Sequence, residues 1–192
     1  IPVSHKVFDL SDKKLGIEII DGDRGKNYPK NNELNPSGDC LFLTAKNVTK
    51  EGFKFDTTQF INLNKDKILG SGKLKENDIV ITTRGTVGNL AHYSKNIPFK
   101  SIRINSGMAI IRNTKNEIDI EFLLNVLESE LVKSQVKKFT YGSAQPQLTI
   151  DIINSFKILI PKKNEQIEIN QIIKSLNKII SSYKNYYLKI EL

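Results

Sequence analysis

Sulfur and imidazole are almost missing from this chain. One cysteine, Cys40, and two histidines, His5 and His92, stand among 192 residues. A single cysteine closes no internal disulfide, which favours a reducing, cytoplasmic setting. The same scarcity leaves no set of four Cys or His ligands for a structural zinc, so no metal site is expected. Both histidines read as isolated surface or half-buried residues. No run of eighteen apolar residues occurs, so no membrane-spanning helix is expected. The opening IPVSHKVFDLSDKK lacks the charged-then-apolar order of a secretory signal.

Catalytic signatures are missing too. There is no G-x-S-x-G elbow to present a serine nucleophile. Gly70-Ser71-Gly72-Lys73 imitates a phosphate loop, but Lys67 stands where the first glycine belongs and Leu74 where the magnesium-binding hydroxyl belongs. It reads as a turn. The one Asn-Pro, Asn35-Pro36, is followed by Ser-Gly rather than by the Pro-aromatic ending of base-methylating enzymes. Asp21, Asp23 and Asp39 are acidic, yet no Glu-x-Lys on an apolar strand completes a magnesium nuclease site. No catalytic residue and no cofactor are expected.

What the chain has is positive charge. Lys and Arg number 29 against 21 Asp and Glu, a formal net charge of +8. Such a balance speaks of polyanionic partners. An anionic membrane would call for a concentrated basic amphipathic helix. Here the lysines are scattered over loops and strand ends, which points to nucleic acid instead.

The pattern is α+β: a twisted, mostly antiparallel sheet domain with one flanking helix and a long carboxyl-terminal helix of coiled-coil type. Residues Val3 to Asp21 suggest a short helix and then a strand. The Gly/Pro-containing stretch from Asp21 to Asp39 is a long loop, with Arg24, Lys26 and Tyr28 at a positive, partly aromatic tip. Cys40 to Val48, Phe53 to Ile61, Asp78 to Arg84, Leu90 to Tyr93 and Gly107 to Arg112 read as strands, and Lys65 to Lys75 as a charged turn region. Ile118 to Lys138 carries apolar residues at helical spacing, with Asp119 in its first turn and Lys133, Lys137 and Lys138 in its last, as the helix dipole favours.

Polar groups gather where strands end. Thr82, Thr83, Arg84, Thr86 and Asn89 surround Gly85 and Gly88, which let the backbone approach a partner closely. Hydroxyls and main-chain N–H groups suit phosphate oxygens, while Arg and Asn suit base edges. A similar mix stands at Lys100, Arg103, Asn105 and Ser106, and again at Tyr141, Ser143, Gln145 and Gln147. Lys46 and Asn47 end the Cys40 strand. If the strands share one sheet, these ends converge on one rim; otherwise the Thr82–Asn89 segment is merely a tight hairpin. Arg24, Arg84 and Arg103 are the arginines expected to touch base or phosphate.

From Lys162 onward no Gly or Pro interrupts a helical pattern. Ile169, Leu176, Tyr183 and Ile190 recur every seven residues, with Ile172, Ile173, Ile179, Ile180 and Tyr187 three or four further on. At about 1.5 Å per residue the helix runs roughly 40 Å. Either it packs on its own sheet, or part of it protrudes to pair with a second helix.

The end of the chain also carries a resemblance. Gly142-Ser143, Gln145-Pro146 and Leu148 precede a short apolar strand closed by Pro161, and a long helix containing Glu165-Gln166 follows. That order resembles the end of a target recognition domain in the specificity (S) subunits of type I restriction-modification enzymes. The stretches IIDGDRGKNYP, LTAKNV and DIVITTRGTVG, in the same order, look like further landmarks of such domains. The resemblance implies a division into residues 1–161, a target recognition domain, and 162–192, a spacer or dimerisation helix. It implies a non-catalytic component that reads double-stranded DNA while modification (methyltransferase) and restriction subunits do the chemistry. A second recognition half would join through the helix, a homodimer being one arrangement. S subunits typically carry two recognition domains and two spacer helices, and this chain has one of each. It therefore looks like a half subunit, a fragment of a full one, or the recognition piece of a fused restriction enzyme or methyltransferase. A protein-protein adaptor using the coiled coil alone is the rival reading.

Overall fold

Two strands, β7 (Ile79–Thr82) and β10 (Met108–Asn113), are apolar at nearly every position in their centres rather than at every second one. The reason is that their sheet is covered on both faces. The computed structural model describes residues 6–190, except the side chains of 185 and 187–190. In it, β10 pairs antiparallel with β7 on one side and with β2 (Ile17–Asp21) on the other, while β8 (Leu90–His92) pairs antiparallel with β7. Successive side chains point to opposite faces. Ile79, Ile81, Ala109 and Ile111 enter one core with Phe122, Leu123 and Leu127 of helix α2 (Ile120–Leu127). Val80, Met108 and Ile110 enter a second with Leu41, Ile102 and Ile104.

That second layer is a three-stranded sheet of β6 (Phe60–Ile61), β3 (Cys40–Phe42) and β9 (Ile102–Arg103), in which β3 and β9 run parallel. Cys40 is buried there. Two small pairs complete the β structure: β1 (Lys6–Asp9) with β11 (Lys157–Ile160), and β4 (Val48–Thr49) with β5 (Gly52–Phe53). The class is α+β and mostly antiparallel, as the sequence pattern predicts, but among the described residues the strands form four small sheets rather than one.

Other expectations are corrected. The segment before β2 holds β1 instead of a helix, because its apolar residues pair with β11. The stretch from Phe53 to Ile61 is no continuous strand; only its ends pair. The charged segment after Ile61 contains helix α1 (Leu63–Ile68), capped by Asn62, whose side chain accepts from the Lys65 N–H at 2.8 Å. The expected single flanking helix is two, α2 and α3 (Glu130–Thr140), broken where Ser129 turns extended and its hydroxyl donates to the Val126 carbonyl at 2.6 Å. A short α4 (Ile150–Asn154) precedes β11.

Helix α5 (Lys163–Ile190) behaves as two different helices in one. Its first turns dock on the domain through buried polar groups. The Gln166 side-chain oxygen Oε1 accepts from the Asp119 N–H at 2.8 Å, and the Asn170 amide donates to the Asp119 carboxylate at 2.7 Å. Ile169 and Ile173 are partly sheltered beside them. Ile172, Leu176, Ile179, Ile180 and Tyr183 are each at least half exposed. The side chains of Tyr187 and Ile190 lie outside the described residues. The docked face and the open stripe thus point in different directions around one axis.

Candidate nucleic-acid interface

The connection from β7 to β8 is held by its own threonine. Thr82 is buried; its hydroxyl donates to the Thr86 carbonyl and accepts from the Asn89 N–H at 2.9 Å. The Gly88 N–H donates to the Thr82 carbonyl at 2.9 Å, and Gly85 and Gly88 take φ values of +72° and +88°, which favour glycine. Within this brace Arg84 and Thr86 face outward, and among the described residues the Arg84 side chain makes no hydrogen bond or ion pair.

Neighbouring loops lock onto this one in sequence. The Gly107 carbonyl accepts from both Thr83 N–H, at 2.8 Å, and Arg84 N–H, at 3.3 Å. The Thr83 carbonyl accepts from the Leu148 N–H at 3.0 Å, which draws in the Gln147 side of the loop before α4. On the other flank the Asn105 carboxamide oxygen accepts from the Gly107 N–H at 2.8 Å. A methyl group on Gly22 would sit 2.2 Å from the Asn105 carbonyl oxygen, so the loop after β2 presses directly on this one. The Tyr28 hydroxyl reaches the Ser106 N–H at 3.5 Å, and the ring meets Phe42 edge-on at 5.8 Å. Four chain segments therefore form one continuous rim: 22–28, 105–107, 83–89 and 147–148.

The loop that carries Arg24, Lys26 and Tyr28 is tied down by Asp23, whose carboxylate accepts from the N–H groups of Gly25 and Gly70 at 2.8 and 2.7 Å. Those two bonds hold its carboxyl below the usual carboxylate range. Arg24 and Lys26 are exposed, though Arg24 is paired with Asp21 at 3.0 Å. Tyr141, Ser143 and Gln145 are exposed, Tyr141 almost completely, and Gln147 is half-buried. Lys46 is exposed beside the rim, since the Asn89 amide donates to the nearby Val48 carbonyl at 3.0 Å.

Five expected contact residues are placed otherwise. Asn47 is buried, and its amide donates to the carbonyls of Lys54 and Thr57 at 3.0 and 2.7 Å, bracing a loop from inside. Thr82 and Thr83 are buried too, and the Thr83 hydroxyl has no hydrogen-bond partner among the described residues. Arg103 is the clearest correction. Its guanidinium is buried against the Asp66 carboxylate and donates to the carbonyls of Ser71, Asp66 and Leu69 at 2.7, 2.7 and 3.2 Å. Each of its three nitrogens is bonded within the protein itself. Lys100 is exposed but precedes β9, at the opposite end of that strand from Asn105. What the sequence reading missed was Asp66, the acid that claims Arg103; its signal was the Asn62 cap, which marks a helix where a turn was read.

Beside the rim lies a cleft of about 580 Å³ between the β7–β8 loop and α3, bordered by Lys50, Asn89, Glu128, Lys133 and Lys137. A Cβ on Gly88 would come within 3.1 Å of Val136, so loop and helix are in near contact at its floor.

The chain is thus a small-sheeted α+β domain whose interlocked loops carry exposed Arg24, Lys26 and Arg84 and whose terminal helix leaves an apolar stripe open. The chain belongs to the family described as type I restriction modification DNA specificity domain, which it matches over residues 12–192. Its fold is similar to that of the HsdS subunit from Thermoanaerobacter tengcongensis, with a TM-score of 0.69 and 16% identity over 96% of this chain and 40% of that one. The type I restriction-modification S subunit from M. genitalium is similar at a TM-score of 0.61 and 18% identity, over 94% of this chain and 41% of that one. The type IIG restriction endonuclease BpuSI shares the fold more distantly, with a TM-score of 0.52 and 12% identity over 86% of this chain and 26% of that one. This chain thus spans about two-fifths of the length of the S subunits it resembles. No curated protein matches its sequence. No helix among the described residues is long and apolar enough to cross a membrane.

Proposed function

We propose that this chain reads a sequence in double-stranded DNA and serves as the address of a cytoplasmic restriction-modification system, with methylation and cleavage supplied by modification and restriction subunits. The observation that supports it most is the single rim of interlocked loops around Arg84, an exposed guanidinium with no partner among the described residues. Arg84, Arg24, Lys26, Lys46, Thr86, Asn89, Asn105, Tyr141, Ser143, Gln145 and Gln147 are the groups that contact the duplex in this reading. Selecting bound duplexes from a randomised pool tests it: an enriched motif is expected, with affinity falling steeply as salt rises. Salt-insensitive binding would favour the adaptor reading.

The open stripe of α5 joins this reader to a second recognition half. In a homodimer, two antiparallel helices set the readers on the order of one turn of B-DNA apart, roughly 34 Å, or somewhat more. The target would be bipartite and palindromic with an unread gap. Leu176→Asp in the full chain should then halve the mass seen by light scattering and abolish any concentration dependence of the melting temperature. A chain monomeric before the change would remove the homodimer. The likeness to BpuSI favours a second reading, the recognition piece of a fused enzyme, which predicts a nuclease and methyltransferase in the same gene.

A further inference from the structure

The geometry points to a second DNA contact that is blind to sequence: Lys50, Lys133 and Lys137 form a clasp for backbone phosphates on the flank of the reading loop. This inference rests on the DNA-reading function and adds residues which that reading did not use.

Three facts carry it. First, the amines come from separate elements. Lys50 stands at the turn between β4 and β5, and Lys133 and Lys137 stand four residues apart on α3, yet all three border one cleft with Gly88 and Asn89. Positions four apart share a helix face and are separated by about 6 Å along the axis. Phosphates on one DNA strand rise by about 3.4 Å per step, so the two amines match phosphates one or two steps apart.

Second, the cluster is short of counter-charge. All three lysines are exposed, and Lys50 and Lys137 have no ion-pair partner among the described residues. Lys133 has only the open Glu130 pair at 3.3 Å. Glu128 is the one acidic residue among the described residues that line the cleft. Like charges drawn together repel, and an anion relieves that repulsion. Third, the cleft is continuous with the reader. Asn89 belongs both to its wall and to the braced loop that presents Arg84. A duplex seated on Arg84 has its backbone pass over the adjoining lysines.

The remaining lining, Val87, Leu127, Val132 and Val136 among others, is apolar and sets the depth of the cleft without hydrogen-bonding groups for a base. Anchoring by charge alone is what such a surface supplies.

The test changes Lys50→Gln, Lys133→Gln and Lys137→Gln together in the full chain. Anisotropy of a fluorescein-labelled duplex pool of random sequence is then followed over a salt series. The log-affinity against log-salt slope should become shallower by about 0.9 for each lysine removed, with weaker binding at low salt. The motif enriched from a randomised pool should stay the same, and the melting temperature should hold. Glu128→Gln should act oppositely and tighten low-salt binding. An unchanged slope and affinity in the triple variant, while Arg84→Ala still alters the motif, would overturn the clasp and leave the reader standing. A changed motif with an unchanged slope would also overturn it, because these lysines would then read bases. If the unaltered chain binds without salt dependence, the DNA-reading function fails first and the clasp with it.

Discussion

Arg103 and Arg84 occupy comparable places in the sequence, each among small polar residues at a strand end, and they end in opposite states. Arg103 is walled in by α1: its Nε meets Asp66, which also takes Lys73, and both of its terminal nitrogens donate to backbone carbonyls. Arg84 emerges from a loop braced by a neighbour's hydroxyl and keeps its guanidinium in solvent. The difference teaches that a basic residue near a strand end is a reader only if no acid inside the fold reaches it. Arg112 repeats the lesson, since its guanidinium forks onto buried Asp78 at 2.8 and 2.7 Å.

The largest effect should come from breaking the inward pair. Asp66→Ala leaves a buried guanidinium uncompensated and should lower unfolding stability by about 3–5 kcal/mol. Urea denaturation measures this, and an unaltered midpoint would dissolve the contrast between the two arginines. Acid offers a gentler version. Burial tends to raise the Asp66 pKa, but hydrogen bonds from Lys73 and Arg103, with their charges, outweigh it and hold the carboxyl below its ordinary 3.8. The unfolded chain then takes the proton first. The stability tied to this group is whole above about pH 4 and is lost as pH falls through the lower folded value. In Asp66→Asn that acid-sensitive component should vanish from the pH dependence of the urea midpoint.

Arg84→Ala should leave stability within about 0.5 kcal/mol, as for an exposed, unpaired side chain. If the guanidinium reads a guanine, discrimination at one base position should drop by about 1–3 kcal/mol, seen by competition between duplexes differing there. Equal specificity before and after the change would return Arg84 to the status of a solvated loop residue. The smallest shift belongs to Arg24→Ala. Its pair with Asp21 is about one-third exposed on each side, so unfolding stability should change by about 0–1 kcal/mol. A larger loss would mean that Arg24, like Arg103, is structural.

The site was only partly legible for a reason these residues make plain. Arg84, Thr86 and Asn89 are legible as loop residues because paired glycines inside a polar segment mark a loop whatever surrounds it. Asn47, Thr82, Thr83 and Arg103 belong to the same residue types, but all four are buried, Asn47 against carbonyls seven and ten residues away and Arg103 against Asp66, 37 residues away. Polar composition does not tell a group that serves a ligand from one that braces a loop. Individual elements, not the class, escape the sequence pattern where they are short. The strands at Gly52–Phe53, Phe60–Ile61 and Ile102–Arg103 have two residues each, too few for any periodicity to show.

By itself the sequence determined the charge, the α+β class, the long uninterrupted terminal helix and the family, because composition, unbroken 3.6-residue periodicity and local motifs are properties of contiguous residues. Tertiary structure alone decided which polar groups meet solvent, that four loops share one rim, and where α5 stops docking and its stripe opens. Those outcomes depend on which side chains from distant segments come within a few ångströms of one another, and the core that brings them together is assembled from both faces of a sheet.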